Sequence, residues 1–261
     1  MELNLVGKNA LVGGSSKGIG KAAAIELAKL GANITLVSRS ADKMAAVLRT
    51  LDTSLGQSHD FLTADFSDVK DLEKRVKALV AQKPIHILIN NTGGPAPGPI
   101  VDAKIEAFLG ALNNHLVASH TLVQLVVEGM KAAGYGRIIN VISTSVKEPI
   151  PGLGVSNTTR AAMANWSKTM AGELGQYGIT VNNVLPGFTR TERLQQIIDR
   201  KAKNGNMSEE EVVASMKKNV PLGRFAEPRE LGMAVAFLAA PAASYITGTN
   251  LTVDGGRTKS L

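Results

Sequence analysis

The residues Gly14-Ser15-Ser16-Lys17-Gly18-Ile19-Gly20 join an apolar run to an amphipathic one, and they carry the first chemistry in the chain. Glycines spaced GxxxGxG let backbone N–H groups close around a phosphate. A helix starting at the end of the run would add its positive dipole end. The alternative reading is a tight turn. Ser143 follows a later apolar run, and Ser156 and Arg160 lie four residues apart, on one face of a helix. A serine hydroxyl is a far poorer acid than a phenol. Arg160 stays charged at working pH, so it can bind hydroxyls or an anion but cannot give up a proton. His115 and His120 are not at metal-ligand spacing for a helix, no carboxylate cluster joins them, and no metal site is expected.

Positioning these residues requires regular elements, and the hydropathy pattern supplies them. Apolar runs at 9–14, 33–38, 60–64, 85–90, 137–142, 179–185 and 246–253 read as strands. Helical patterns alternate with them at 19–30, 41–50, 69–81, 158–175 and 228–239, and 103–133 holds one long helix or two. Such alternation implies an α/β fold, a doubly wound parallel sheet (Rossmann fold), here in a single domain spanning 1–261. Ligands bind beyond the carboxyl ends of such strands. The strongly charged insertion at 190–220 reads as a small helical substrate lid or as a solvated helical hairpin. Ser208 with Glu211 makes a capping box, so a helix is expected to start at residue 209. Gly93 to Pro99 (GGPAPGP) forms a stiff loop, either a wall of the site or a rigid connector.

Composition narrows the field. The 261 residues carry a net charge of +7 and no cysteine, which excludes disulfides and thiolate chemistry. No secretory signal or membrane-spanning run is visible, and a cytoplasmic location is expected. The basic balance fits either a surface that aids solubility or an acidic partner. Aromatic residues are 4% of the chain and no basic stripe interleaves with them, so nucleic acid is not an expected partner.

Several further motifs stand in a fixed order. They are Asn90-Asn91-Thr92-Gly93, Gly136-Arg137-Ile138-Ile139 ahead of Ser143, Pro186-Gly187, Pro221-Leu222-Gly223-Arg224, and Tyr245-Ile246-Thr247-Gly248 through Val253-Asp254-Gly255-Gly256. With the glycine loop and Asp65, they resemble the short-chain dehydrogenases/reductases over nearly the whole chain, most of all the bacterial 3-oxoacyl-(acyl-carrier-protein) reductases.

The resemblance implies a nicotinamide cofactor bound by Gly14, Ser16, Lys17, Gly18, Ile19 and Gly20. Asp65 and Phe66 would flank the adenine, and Asn90 and Gly93 the ribose and pyrophosphate region. Pro186 and the stretch from Gly187 through Thr189 to Thr191 would meet the carboxamide. An acidic residue after the second strand would select NAD, whereas this chain has Ser38 and Arg39 there and Lys17 in the loop. Two cations on one spot suit a phosphate, so NADP(H) is the expected cofactor.

The family's catalytic pattern is Asn, Ser, and Tyr and Lys in YxxxK. By resemblance Ser143 holds the serine position, Ser156 the tyrosine position and Arg160 the lysine position, from which Arg160 would bind the nicotinamide ribose of the cofactor or an anionic substrate group. The asparagine position falls on His115 or, with a shift of one, on Asn114. Tyr135, Tyr177 and Tyr245 offer no obvious substitute acid. His115, with an ordinary pKa near ~6.5, or Lys147 could serve instead. The bland readings are a satisfied helix histidine and a solvated charge. Two functions therefore stand: an NADP(H)-dependent oxidoreductase acting on a small carbonyl or alcohol, and a non-catalytic NADP(H)-binding homologue acting as regulator or silent subunit. A homo-oligomer, a tetramer by resemblance, is expected in either case.

Overall fold

The computed structural model describes residues 1–260. Seven strands form one sheet in the order β3-β2-β1-β4-β5-β6-β7, with every neighbouring pair parallel. The strands are β1 (Asn9–Gly13), β2 (Asn33–Ser38), β3 (Asp60–Thr63), β4 (Ile87–Asn90), β5 (Gly136–Val141), β6 (Ile179–Pro186) and β7 (Asn250–Val253). β4 and β5 are buried throughout, as expected of strands covered on both faces, whereas the edge strand β3 is half open. The order reverses between β1 and β4. The crevice above that switch point is where such sheets receive ligands.

The helices are α1 (Gly18–Lys29), α2 (Ala41–Leu48), α3 (Val69–Val80), α4 (Ile105–Leu112), α5 (Ala118–Ala133), α6 (Gly154–Leu174), α7 (Glu192–Gly205), α8 (Glu209–Lys218) and α9 (Pro228–Ala239). Leu27 and Ala23 of α1 and Leu231 and Val235 of α9 pack on one face of the sheet, against Ile34, Ile87 and Ile139. Leu72 and Val76 of α3, Leu122 and Val126 of α5, and Ala171 of α6 cover the other, against Leu88, Ile138 and Val181. Local chemistry sets several helix starts. The Asp68 side chain accepts from Asp71 N at 3.0 Å to cap α3, and the capping box of Ser208 and Glu211 opens α8 as expected.

The structure chooses between two helix readings and moves several element starts. The 103–133 stretch is α4 and α5 joined by a π turn, Asn113–Val117. Helix α6 begins four residues early, at Gly154, where the Thr158 hydroxyl donates back to the Gly154 carbonyl. Strand β7 starts only at Asn250, because Ile246 N bonds to Ala243 O in a turn. Between β6 and α9, α7 and α8 close over their own apolar cluster of Leu194, Ile198, Val212, Met216 and Phe225. Among the described residues no helix is long and apolar enough to cross a membrane.

Candidate active site

The glycine loop is built to receive an anion. Lys17 is extended at the head of α1, with no side-chain cap and no acidic residue in the first turn, so the leading N–H groups of the helix are left for a ligand. The loop could not carry side chains in its place. A Cβ on Gly14 would stand 2.4 Å from the Asn91 carbonyl oxygen, and one on Gly20 would stand 2.5 Å from the Gly14 carbonyl oxygen. Asn91 Nδ2 donates to the carbonyls of Gly13 and Gly14 at 3.2 and 3.4 Å and clamps the loop from β4. Ser15 faces inward, its hydroxyl accepting from Val37 N, while Ile19 packs on the core. These residues fit a pyrophosphate.

The adenosine end is only partly as expected. Ser38 Oγ donates to Ser16 Oγ at 3.0 Å, which sets two hydroxyls beside exposed Arg39 at the end of β2. Arg39 lies 3.8 Å from Asp65, whose carboxyl is held below its usual range by the Ser67 backbone N–H and, further, by Arg39. Lys17 does not converge on this spot. It forms an ion pair with Glu192 in the first turn of α7, because both side chains are long, exposed and opposite in charge. The expected pair of cations is therefore one cation and two hydroxyls. Phe66 is half-buried against Gly13. Gly93 has open space where a Cβ would be.

Asn90 closes β4 beneath the site. It is 4% exposed and its Nδ2 donates to Asn140 at 2.8 Å. From there the network runs through Ser167 and Asn183 to Asn250, across the in-register positions of β4, β5, β6 and β7. The amide nitrogen ties strands together beneath the site, while the buried Oδ1 has no partner among the described residues.

The catalytic candidates meet where the ends of β4 and β5 face α6 and the π turn. Ser143 heads a short 3₁₀ turn, its Oγ accepting from Ser145 N at 3.1 Å. Ser156 and Arg160 occupy the first two turns of α6, and Ser156 is half-buried. Arg160 is 7% exposed, and its Nη1 donates to the Val141 carbonyl at 3.1 Å. Burial, and then the charge of Arg193, pull its pKa down to about 10, so it remains a cation at neutral pH. Gly94 of the proline-rich loop approaches its Nη2, and Arg193 of α7 donates to the Pro95 carbonyl at 3.1 Å. The loop is thus a wall of this site, not a remote connector.

His115 sits in the π turn, where such turns often mark function, with Nδ1 hydrogen-bonded to the Thr92 hydroxyl. Its Nε2 is buried without a partner, as is Asn114 Oδ1 on the same turn. Burial, and then the charge of Arg160, lower the His115 pKa to about 3. The imidazole is neutral at working pH, which removes the imidazolium as a proton source. Lys147 ends the 3₁₀ turn and is half-buried. Tyr135 is spent on the Ala239 carbonyl at 2.5 Å, Tyr177 lies past the end of α6, and Tyr245 is fully exposed.

The far wall comes from the end of β6. Gly187 lies so close to Asp254 that a Cβ would stand 2.6 Å from it. Pro186 ends the strand. Thr189 is buried and donates to the Gly187 carbonyl, whereas Thr191 caps α7 and faces Gly18 across the crevice. Sequence reasoning missed Asn91, Thr92 and Arg193. Only Asn91 and Thr92 carried a signal, as members of a motif; Arg193 looked like one more charge in a basic insertion.

Comparisons with known proteins agree with this layout. The family model described as enoyl-(acyl carrier protein) reductase matches residues 14–258. The chain is 34% identical to the 3-oxoacyl-(acyl-carrier-protein) reductase FabG of Vibrio harveyi, over 97% of this chain and 98% of the relative. It is 31% identical to the NADPH-dependent reductase BacG of Bacillus subtilis, over 97% of this chain and 99% of the relative. Among solved structures, L-sorbose reductase from Gluconobacter frateurii, complexed with NADPH and L-sorbose, superposes with a TM-score of 0.93 at 31% identity, each chain covered fully.

Proposed function

The chain belongs to the short-chain dehydrogenase/reductase family, and from that premise we propose that it is an NADP(H)-dependent oxidoreductase moving a hydride between the nicotinamide and a carbonyl or alcohol carbon. The observation that carries this reading is the built anion cradle of the glycine loop facing a second polar cluster across the switch point. Relatives named as NADPH-dependent, or solved with NADPH, support the choice of cofactor. So do Ser16, Ser38 and Arg39, where a carboxylate would have repelled a 2′-phosphate.

When bound, the cofactor supplies the two-electron chemistry. The loop from Gly14 to Gly20 holds its pyrophosphate, with Asn91 fixing the loop. Thr191 and Gly187 face the nicotinamide end. Ser143 donates its hydroxyl to the reacting oxygen, and Arg160 provides fixed positive charge beside it. A cation set there before reaction stabilises a developing alkoxide without reorganisation, and such groups are worth ~3 kcal/mol. With Ser156 in the tyrosine position and His115 neutral, the proton comes from water. The 190–220 pair of helices closes the site as a lid, and residues 1–261 act as one unit. The substrate is a small carbonyl compound or a 3-oxoacyl thioester.

The second reading, a silent NADP(H)-binding subunit, keeps one specific observation in its favour: no phenol reaches the site. Steady-state oxidation of NADPH with a panel of ketones and 3-oxoacyl thioesters decides between them. Turnover above background supports the enzyme, and none from folded, cofactor-loaded protein supports the silent subunit.

A further inference from the structure

The cation at the floor of the site has no counter-ion. Only Nη1 of Arg160 has a protein acceptor among the described residues, and Nε is sealed from solvent with none. Arg193 of the lid meets the same loop, its Nη2 donating to the Pro95 carbonyl while Arg160 Nη2 faces neighbouring Gly94. Neither arginine forms an ion pair among the described residues. Carboxylates on the segments around the crevice are engaged elsewhere: Glu192 with Lys17, Asp65 with Arg39, and Asp254 with the Gly256 and Thr258 backbone N–H groups. Burying one guanidinium unpaired is costly, and placing a second cation near it adds repulsion. A ligand anion would relieve both.

His115, on the π turn packed against the helix that carries Arg160, adds an unpartnered ring nitrogen. If the Thr92 hydroxyl donates to Nδ1, the neutral ring carries its hydrogen on the buried, unpartnered Nε2. The location of the cation also limits how far the anion lies from the reacting carbon. The guanidinium is bonded to Val141, the last residue of β5, and Ser143 is two residues further on. An anion held by the guanidinium is therefore placed at the same strand end as the oxygen that Ser143 positions. An anion at the far end of a long chain does not meet that condition.

We propose that Arg160 and Arg193 hold the carboxylate of a small 2-oxo acid or 2-hydroxy acid, set beside the oxygen that Ser143 positions. This inference rests on the oxidoreductase reading above. In the reductive direction the carbonyl carbon gains the hydride of NADPH, its oxygen gains a proton from water, and the products are a 2-hydroxy acid and NADP⁺. The fork of Arg160 suits the planar carboxylate, where an ammonium in its place offers a point charge.

Calorimetric titration of the full chain, loaded with NADP⁺, tests the site without turnover. Oxamate serves as the unreactive 2-oxo acid analogue, acetone as the neutral probe and inorganic phosphate as the tetrahedral anion. Oxamate is expected to bind, acetone not to, and Arg193→Ala, a change on an exposed helix turn, to weaken oxamate by about tenfold or more. Arg160→Lys, which keeps the charge and loses the fork, is expected to weaken it as well. Failure of oxamate to bind, equal binding by wild type and both variants, or equal affinity for phosphate overturns the proposal. Oxamate binding without NADPH oxidation on any carbonyl supports the anion site and removes only the catalytic reading. Turnover of neutral ketones without oxamate binding does the reverse.

Discussion

At the residue scale, the site keeps its layout while two side chains change character. With Ser143 proposed as the hydroxyl at the reacting oxygen, Ser143→Ala is expected to lower kcat about 10²-fold with little change in NADPH affinity, read by steady-state kinetics and cofactor titration. His115 is a buried neutral imidazole whose folded pKa, about 3, lies below its ordinary value. The unfolded chain therefore takes up a proton that the folded chain refuses as pH falls below ~6.5, and stability drops through that window toward pH 3. His115→Asn removes this loss. Denaturant titrations at pH 7 and pH 5 are expected to differ by ~2 kcal/mol less in the variant than in wild type. Equal differences in the two proteins would return His115 to the role of a titrating acid. The types at positions 143, 156 and 160 were legible in the sequence, because residue chemistry needs no coordinates. The neutrality of His115 was not, since it follows from burial and from Arg160, which the fold brings to its side.

At the element scale, most strands were legible because each is a short apolar run bounded by turn residues, as β2 and its burial pattern illustrate. The π turn was not. Its wider turn follows from how Asn113–Val117 packs between α4 and α5, and it buries His115 with its Nδ1 on the Thr92 hydroxyl. The role of Asn90 was hidden for a similar reason: a motif gives a position, while the in-register ladder from β4 to β7 decides where the amide points. Helix α7 links two parts of the site through Glu192 on Lys17 and Arg193 on Pro95. The Lys17–Glu192 pair is exposed, and such pairs are weak enough for a cofactor phosphate to displace. Glu192→Gln is accordingly expected to tighten NADPH binding about two- to fivefold in a fluorescence titration, with an unchanged or weaker affinity arguing that the ion pair does not compete with the cofactor.

At the scale of the whole molecule, the alternation of strands and helices specified the doubly wound sheet and its switch point, and the structure agrees. Assembly was not legible from periodicity, because an apolar face looks alike whether it meets a core or a partner. The fold leaves Ile105 and Leu109 of α4 and Val117 of the π turn exposed on one side of the chain. We propose that this face joins copies of the chain into a tetramer. Sedimentation equilibrium is expected to give four times the chain mass of 27.4 kDa, and a monomer would contradict the proposal. We propose that the chain is an NADP(H)-dependent enzyme that has lost its usual acid and kept its site. The most direct test is single-turnover oxidation of NADPH by wild type and by Ser156→Tyr/Arg160→Lys, on the same carbonyl panel. Wild type is expected to consume the bound NADPH above background, and the double variant to do so faster on neutral ketones. Folded, loaded wild type that leaves NADPH untouched while the double variant consumes it would contradict the claim.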